Sequence, residues 1–179
     1  MTEAVSWLPL SAAQRQVWTA QSLEPVRSRH KIGQYLEILG PVDPVRLEAA
    51  VRKTFAEAEA IQVRCDADGT RQAIDQRTDW AFPVVDLANA PDPAADPVSL
   101  AEEQMRRGIT EQIDLARGQL FATALYRLGP ERYLLLHAYH QFAMDAVSVY
   151  LVAHRVAALY SGAEERARFG PLADRKSVV

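Results

Sequence analysis

The side chains best suited to chemistry cluster in one short stretch, His137-Ala138-Tyr139-His140-Gln141-Phe142-Ala143-Met144-Asp145-Ala146-Val147-Ser148. An imidazole titrates near neutral pH and can move a proton during a reaction, so His140 is the first candidate. Asp145 is the other polar residue of the stretch able to do work. Gln141 is not a usable base near neutral pH, although its amide donates and accepts hydrogen bonds. Each of the first two also has a plainer reading. His140 could be a packed, hydrogen-bonded loop residue, and Asp145 could cap the helix that follows. His137 and His140 as a metal pair lack a third ligand nearby. Ser148 lacks the Gly-x-Ser-x-Gly frame of a nucleophilic serine.

The flanking elements decide how these groups are presented. Arg132-Tyr133-Leu134-Leu135-Leu136 opens a compact apolar run that predicts a buried strand over Arg132–Tyr139. Val149 to Tyr160 is apolar except at His154 and Arg155, which predicts a core helix closed by Ser161-Gly162. A strand feeding a polar loop and then a helix holds the loop from both ends. Phe121–Leu128 predicts a second strand, turned back into Arg132–Tyr139 by Gly129-Pro130-Glu131.

Composition bounds the rest. The chain has 179 residues, 49% hydrophobic and 24% charged, which suits one globular domain with a sizeable core. The net charge of −3 with mixed signs gives no basic footprint for nucleic acid. One cysteine, Cys65, excludes an internal disulfide and fits a reducing, cytoplasmic setting. No signal peptide is visible, and no apolar run approaches the ~20 residues of a membrane span.

Upstream, Ser11 and Gln14 have the spacing of a capping box, with Val17 and Trp18 on the buried face of the helix and Pro25 beyond its end. Ile32–Leu39 alternates as a strand and ends at Gly40-Pro41-Val42-Asp43-Pro44. Asp43 and Pro44 then start a helix to about Ala60, with Leu47, Ala50, Val51, Thr54 and Phe55 on one stripe. Ile61–Asp66 and Arg71–Ile74 flank an Asp68-Gly69 hairpin tip, and Trp80–Val85 predicts a further strand. Ala88–Pro97 reads as an exposed connection, and Ser99–Gln112 as a surface helix with Leu100, Met105 and Ile109 inward.

Several of these stretches resemble, in order, the motifs of condensation domains of nonribosomal peptide synthetases, within the chloramphenicol acetyltransferase-like superfamily. Leu10–Trp18 resembles a Ser-x-Ala-Gln-x-x-x-Trp motif, and Ile113–Leu120 a Phe-Asp-Leu-x-x-Gly-Pro-Leu turn. The loop stretch resembles His-His-x-x-x-Asp-Gly. Pairing Tyr139-His140 with the two histidines leaves one residue too many before Asp145, whereas pairing His140-Gln141 gives the right spacing. Gln141 then stands where the family keeps its catalytic histidine, and Ala146 where it keeps glycine. The family's Arg-His-Glu-x-Leu-Arg-Thr-x-Phe motif corresponds to Glu57–Cys65, where only Glu59 and Ile61 survive. An arginine of that motif pairs with the loop aspartate in the family. Here Gln62 fills its place, and Arg64 lies two residues away on the same expected strand face.

The resemblance implies an α/β (α+β) two-layer fold, with a mixed sheet of Ile32–Leu39, Ile61–Asp66, Arg71–Ile74, Phe121–Leu128 and Arg132–Tyr139 and helices mainly on one face. Residues 1–170 would form the N-terminal lobe of a condensation domain, half of the full fold, with 171–179 an unstructured tail. Met1 followed promptly by the first motif suggests the first domain of an assembly-line subunit. The family makes amide bonds between thioesters carried on 4'-phosphopantetheine arms of carrier proteins, in natural product biosynthesis, with no cofactor bound directly. Expected partners are peptidyl and aminoacyl carrier domains, the C-terminal lobe and adjacent synthetase domains, without nucleic acid or membrane. Losing a general base typically costs ~10²–10⁴ in rate, so Gln141 implies weakened or lost condensation. Two alternatives stand beside this: a working acyltransferase in the complete protein with His140 as base, and a stand-alone, non-catalytic interaction module. An isolated lobe would also expose apolar surface that invites self-association.

Overall fold

Two nine-residue runs, Phe121–Gly129 and Arg132–His140, pair antiparallel across the Pro130-Glu131 turn, as their near-continuous apolar character and the turn residues demand. They are β6 and β7 of a computed structural model that describes residues 6–23, 30–89, 96–110, 113–117 and 119–162. The other elements, in chain order, are β1 (Trp7–Pro9), α1 (Ala12–Leu23), β2 (Lys31–Leu39), α2 (Pro44–Glu57), a 3-10 turn (Glu59–Gln62), β3 (Val63–Cys65), β4 (Arg71–Ile74), β5 (Val84–Asp86), α3 (Pro97–Thr110) and α4 (Ala146–Ser161). Pro25, most of the Ala88–Pro97 connection, the last residues of the expected Ser99–Gln112 helix, Gly118 and the 171–179 tail lie outside the described residues.

The α/β class holds, with two differences in arrangement: the β3–β4 hairpin leaves the main sheet, and α3 packs on the face of that sheet opposite α2 and α4. The main sheet is mixed, in the order β2-β7-β6-β5, with only β5 parallel to its neighbour. The hairpin β3–β4 does not join it. It forms a separate three-stranded sheet, because β1 takes the other edge of β4. Expected strand Ile61–Asp66 also starts later. Ile61 and Gln62 close the 3-10 turn, and extended backbone begins at Val63. Of Trp80–Val85, only Val84 and Val85 enter a strand, while Trp80 and Phe82 reach the core from irregular chain.

Side-chain alternation along β6 and β7 builds a core on each face of the main sheet. Phe121, Leu125, Tyr133, Leu135 and Tyr139 pack with Leu47, Val51 and Phe55 of α2 and Val149, Val152 and Val156 of α4. On the other face Tyr126, Leu134, Leu136 and Ala138 pack with Ala101 and Met105 of α3. Fully burying a side chain such as Phe55 or Leu135 contributes roughly 1.5–3 kcal/mol. A third cluster, with Leu10, Val63, Cys65, Leu115, Leu120 and Phe142, lies under α1.

The helix ends follow their caps. Ser11 Oγ accepts from Gln14 N at 3.2 Å and Gln14 Oε1 accepts from Ser11 N at 2.9 Å, a reciprocal capping box. Asp43 Oδ1 accepts from Val45 N and Arg46 N, with Pro44 in the first turn of α2. Arg155 is 6% exposed and donates to both carboxylate oxygens of Glu57 at 2.7 and 2.8 Å, tying α4 to α2. The expectation of a core helix is met on one side of α4 only. Val147, Tyr150 and Leu151 are 68%, 61% and 50% exposed, because α2 and the sheet cover only one side of that helix. Among the described residues no helix is long and apolar enough to cross a membrane.

Candidate functional site

β7 ends at His140 and α4 begins at Ala146, so Gln141–Asp145 is a short connection clamped by rigid elements at both ends. The Gln141 N–H donates to the His30 carbonyl at 2.6 Å, prolonging the β2–β7 ladder by one bond. The His140 carbonyl accepts from Ala143 N and Met144 N at 2.9 and 3.2 Å, which curls the chain. The Phe142 ring, 2% exposed, plugs the cluster under α1. Asp145 Oδ1 accepts from Ser148 N at 2.7 Å and caps α4, and Gly162 closes it at φ 75°.

His140 faces inward, 3% exposed, and its Nδ1 accepts the Phe142 N–H at 3.2 Å. Burial, with the nearby His30 and Lys31, pushes its pKa down to about 4. The ring is therefore neutral at pH 7, with its proton on Nε2. The His30 ring stands 6.2 Å away, centre to centre. Gln141 is the residue that faces out. Its carboxamide is exposed and makes no hydrogen bond within the described residues. Ala146 is the first residue of α4 and has an ordinary negative φ, so the backbone here asks for no glycine.

His137 leaves the opposite face of β7 from His140, three positions along the strand. It is 1% exposed, its Nδ1 lies 3.3 Å from the Tyr139 hydroxyl, and burial pushes its pKa down to about 4. The two histidines cannot share a ligand. Among the described residues no group of three His, Cys, Asp or Glu could hold a metal ion. Ser148 serves the cap through its backbone.

Gln62 and Arg64 do not converge on Asp145. Gln62 is 8% exposed and its Nε2 donates to the Phe55 carbonyl at 2.6 Å, satisfying a backbone acceptor left open near the end of α2. The Arg64 guanidinium lies over the Trp7 ring at 4.7 Å. The expected shared face of these two residues is lost because Gln62 sits in the 3-10 turn, not on β3. Sequence reasoning missed His30, which receives the loop, and Gln72, which reaches it through Gln14. Neither carries a local signal, since each acts on residues distant in the chain.

A strand–loop–helix of this kind, on a sheet with helices on both faces, defines half of a chloramphenicol acetyltransferase-like fold. The condensation-domain family model matches residues 6–173, and the chain belongs to that family. The chain is 36% identical over 156 residues to an isonitrile lipopeptide synthase of Streptomyces coeruleorubidus, covering 86% of this chain and 10% of that one. It is 34% identical over 154 residues to a dimodular nonribosomal peptide synthase of Bacillus subtilis, covering 85% and 6%. The crystal structure of the starter condensation domain of the rhizomide synthetase RzmA superposes with a TM-score of 0.80 at 36% identity, covering 88% of this chain and 38% of that one. The first condensation domain of the calcium-dependent antibiotic synthetase gives 0.77 at 30% identity, covering 90% and 40%. The chain thus spans well under half of these two structures and a tenth or less of the two curated relatives.

Proposed function

We propose that this chain is the N-terminal lobe of a nonribosomal peptide synthetase condensation domain whose own amide-forming reaction is lost or strongly impaired. It then serves as a platform for carrier proteins and neighbouring domains. One observation carries this reading. The outward position of the loop holds the Gln141 carboxamide, while the adjacent imidazole of His140 is buried with its Nδ1 already bonded. A carboxamide can orient an incoming amine by hydrogen bonding but cannot take its proton. Donor and acceptor would arrive as thioesters on phosphopantetheine arms of carrier domains, in the cytoplasm, where the lone buried thiol of Cys65 stays reduced.

Two relatives at 36% identity are a lipopeptide synthase and a starter condensation domain, one structure of which holds C8-CoA. The substrate class to test first is therefore an acyl donor meeting an aminoacyl carrier. The complete protein, given acyl-CoA or a loaded donor carrier plus a loaded acceptor, should form product at least ~10²-fold below an ordinary turnover of about 1 s⁻¹. Gln141→His places an imidazole at the exposed position without asking Ala146 for a new backbone, and should raise the rate. Product formed by the wild type at an ordinary rate, abolished by His140→Ala without unfolding, would make His140 the base and overturn the reading.

A further inference from the structure

The Gln141 loop is held from a side that neither β7 nor α4 supplies. Gln14 and Gln72 face each other as a closed amide pair. Gln14 Nε2 donates to Gln72 Oε1 at 2.7 Å and Gln72 Nε2 donates to Gln14 Oε1 at 3.0 Å. The remaining valences reach outward. Gln14 Oε1 also accepts from Ser11 N at 2.9 Å, which sets its oxygen and nitrogen, and Gln72 Nε2 reaches the Pro9 carbonyl at 3.4 Å. The second hydrogen of Gln14 Nε2 goes to the Phe142 carbonyl at 3.3 Å. The Gln14 amide thus uses both hydrogens and both lone pairs, the full capacity of that group. Gln72 is 5% exposed, so breaking the pair leaves a buried amide without its partner.

Phe142 follows Gln141 directly, and the residue is fixed at three points. Its N–H goes to His140, its carbonyl goes to Gln14 and its ring fills the small core. We propose that Gln14 and Gln72 are positioning residues for this loop, so that α1 and the small sheet, through their amide pair, hold residue 141 outward. The inference rests on the reading that the 140–145 loop is the working site. It assigns the Gln of the first motif a role in the loop besides helix capping, and gives the loop an anchor where Gln62 and Arg64 supply none.

The test compares Gln14→Met, the milder Gln14→Asn and Gln72→Met with Ser11→Ala, which weakens the cap of α1 but leaves the amide pair intact. Two local readouts are followed by NMR in the 179-residue chain. Release of the loop should speed hydrogen exchange at the Phe142, Ala143 and Met144 amides at least tenfold. It should also move the His140 titration up from about 4 toward 6.5 as water reaches the ring, while His30 and Lys31 remain beside it. The His137 titration, on the other face of the sheet, should stay put, and Ser11→Ala should move neither readout. Unchanged exchange and titration in variants that merely melt lower would overturn the proposal, as would His137 and His140 moving together. None of these readouts uses turnover. Product formation by the wild-type protein would therefore defeat the functional reading alone, and a silent Gln14 would defeat only this one.

Discussion

The two buried histidines make the fold sensitive to acid. In the unfolded chain each titrates near 6.5, and in the folded protein burial holds both down to about 4. Between those values the unfolded state binds protons that the folded state refuses, so folding is favoured more as pH rises. Their contribution is complete above about 6.5 and is lost progressively as pH falls toward 4, on the order of 3 kcal/mol per histidine. Urea melts should show a clear drop in stability from pH 7.5 to 4.5, reduced in His137→Phe, where nothing remains to protonate. A midpoint that does not change over that range would mean that water already reaches both rings. The same burial explains why Gln141, and not its neighbour, is the group on offer. Alternation places His140 under the sheet, and the ladder bond to His30 brings the next residue to the surface.

At the scale of elements, the small sheet is more than an appendage, because α1 rests on it and reaches the loop from there. Its hairpin depends on Gly69, at φ 67°, where a Cβ would stand 2.2 Å from the Trp18 ring. The left-handed conformation costs an alanine about 1–2 kcal/mol, and displacing the indole adds to that. Gly69→Ala should therefore lower stability by about 2–4 kcal/mol. It should also disturb Trp18 fluorescence before it disturbs the main sheet. A substitution that is neutral in both would show that α1 does not seat on the hairpin. Asp66 organises the same turn from the other side, accepting from the Thr70 and Arg71 N–H groups and both their side chains, which holds its carboxyl well below the usual carboxylate range.

The molecule as a whole is lopsided. One side of α4 closes the main core, and the other presents Val147, Tyr150 and Leu151 to solvent at helical spacing, directly after the loop. The matched condensation-domain structures are more than twice as long as the stretch they share with this chain, so the remaining half of such a fold is the occupant we propose for that face. Kept apart from it, the chain should self-associate. Sedimentation should show a dimer or larger species at high concentration, dispersed by Tyr150→Lys with Leu151→Lys, both exposed positions whose replacement leaves the core intact. A strict monomer at high concentration would count against this use of the face.

What was legible in the sequence was what neighbouring residues settle among themselves. The Ser11–Gln14 box, the Asp43 and Asp145 caps, the hairpin tip at Gly69 and the β6–β7 turn are each decided within a few residues. Side-chain periodicity is also local, so the strand–loop–helix frame of the candidate site could be read directly. The order of those pieces carried the family. Tertiary structure alone decided which surfaces meet. Gln14 and Phe142 lie 128 positions apart, and Glu57 and Arg155 lie 98 apart, so no local pattern marks either pair. Gln62 went to the end of α2, where its amide meets the Phe55 carbonyl, because the 3-10 turn and not β3 carries it. Arg64 went to Trp7 because β1 joined the small sheet. An apolar helix announces that it will be covered on several sides, but its sequence cannot say how much of that cover its own chain supplies. For α4, the described chain supplies one side.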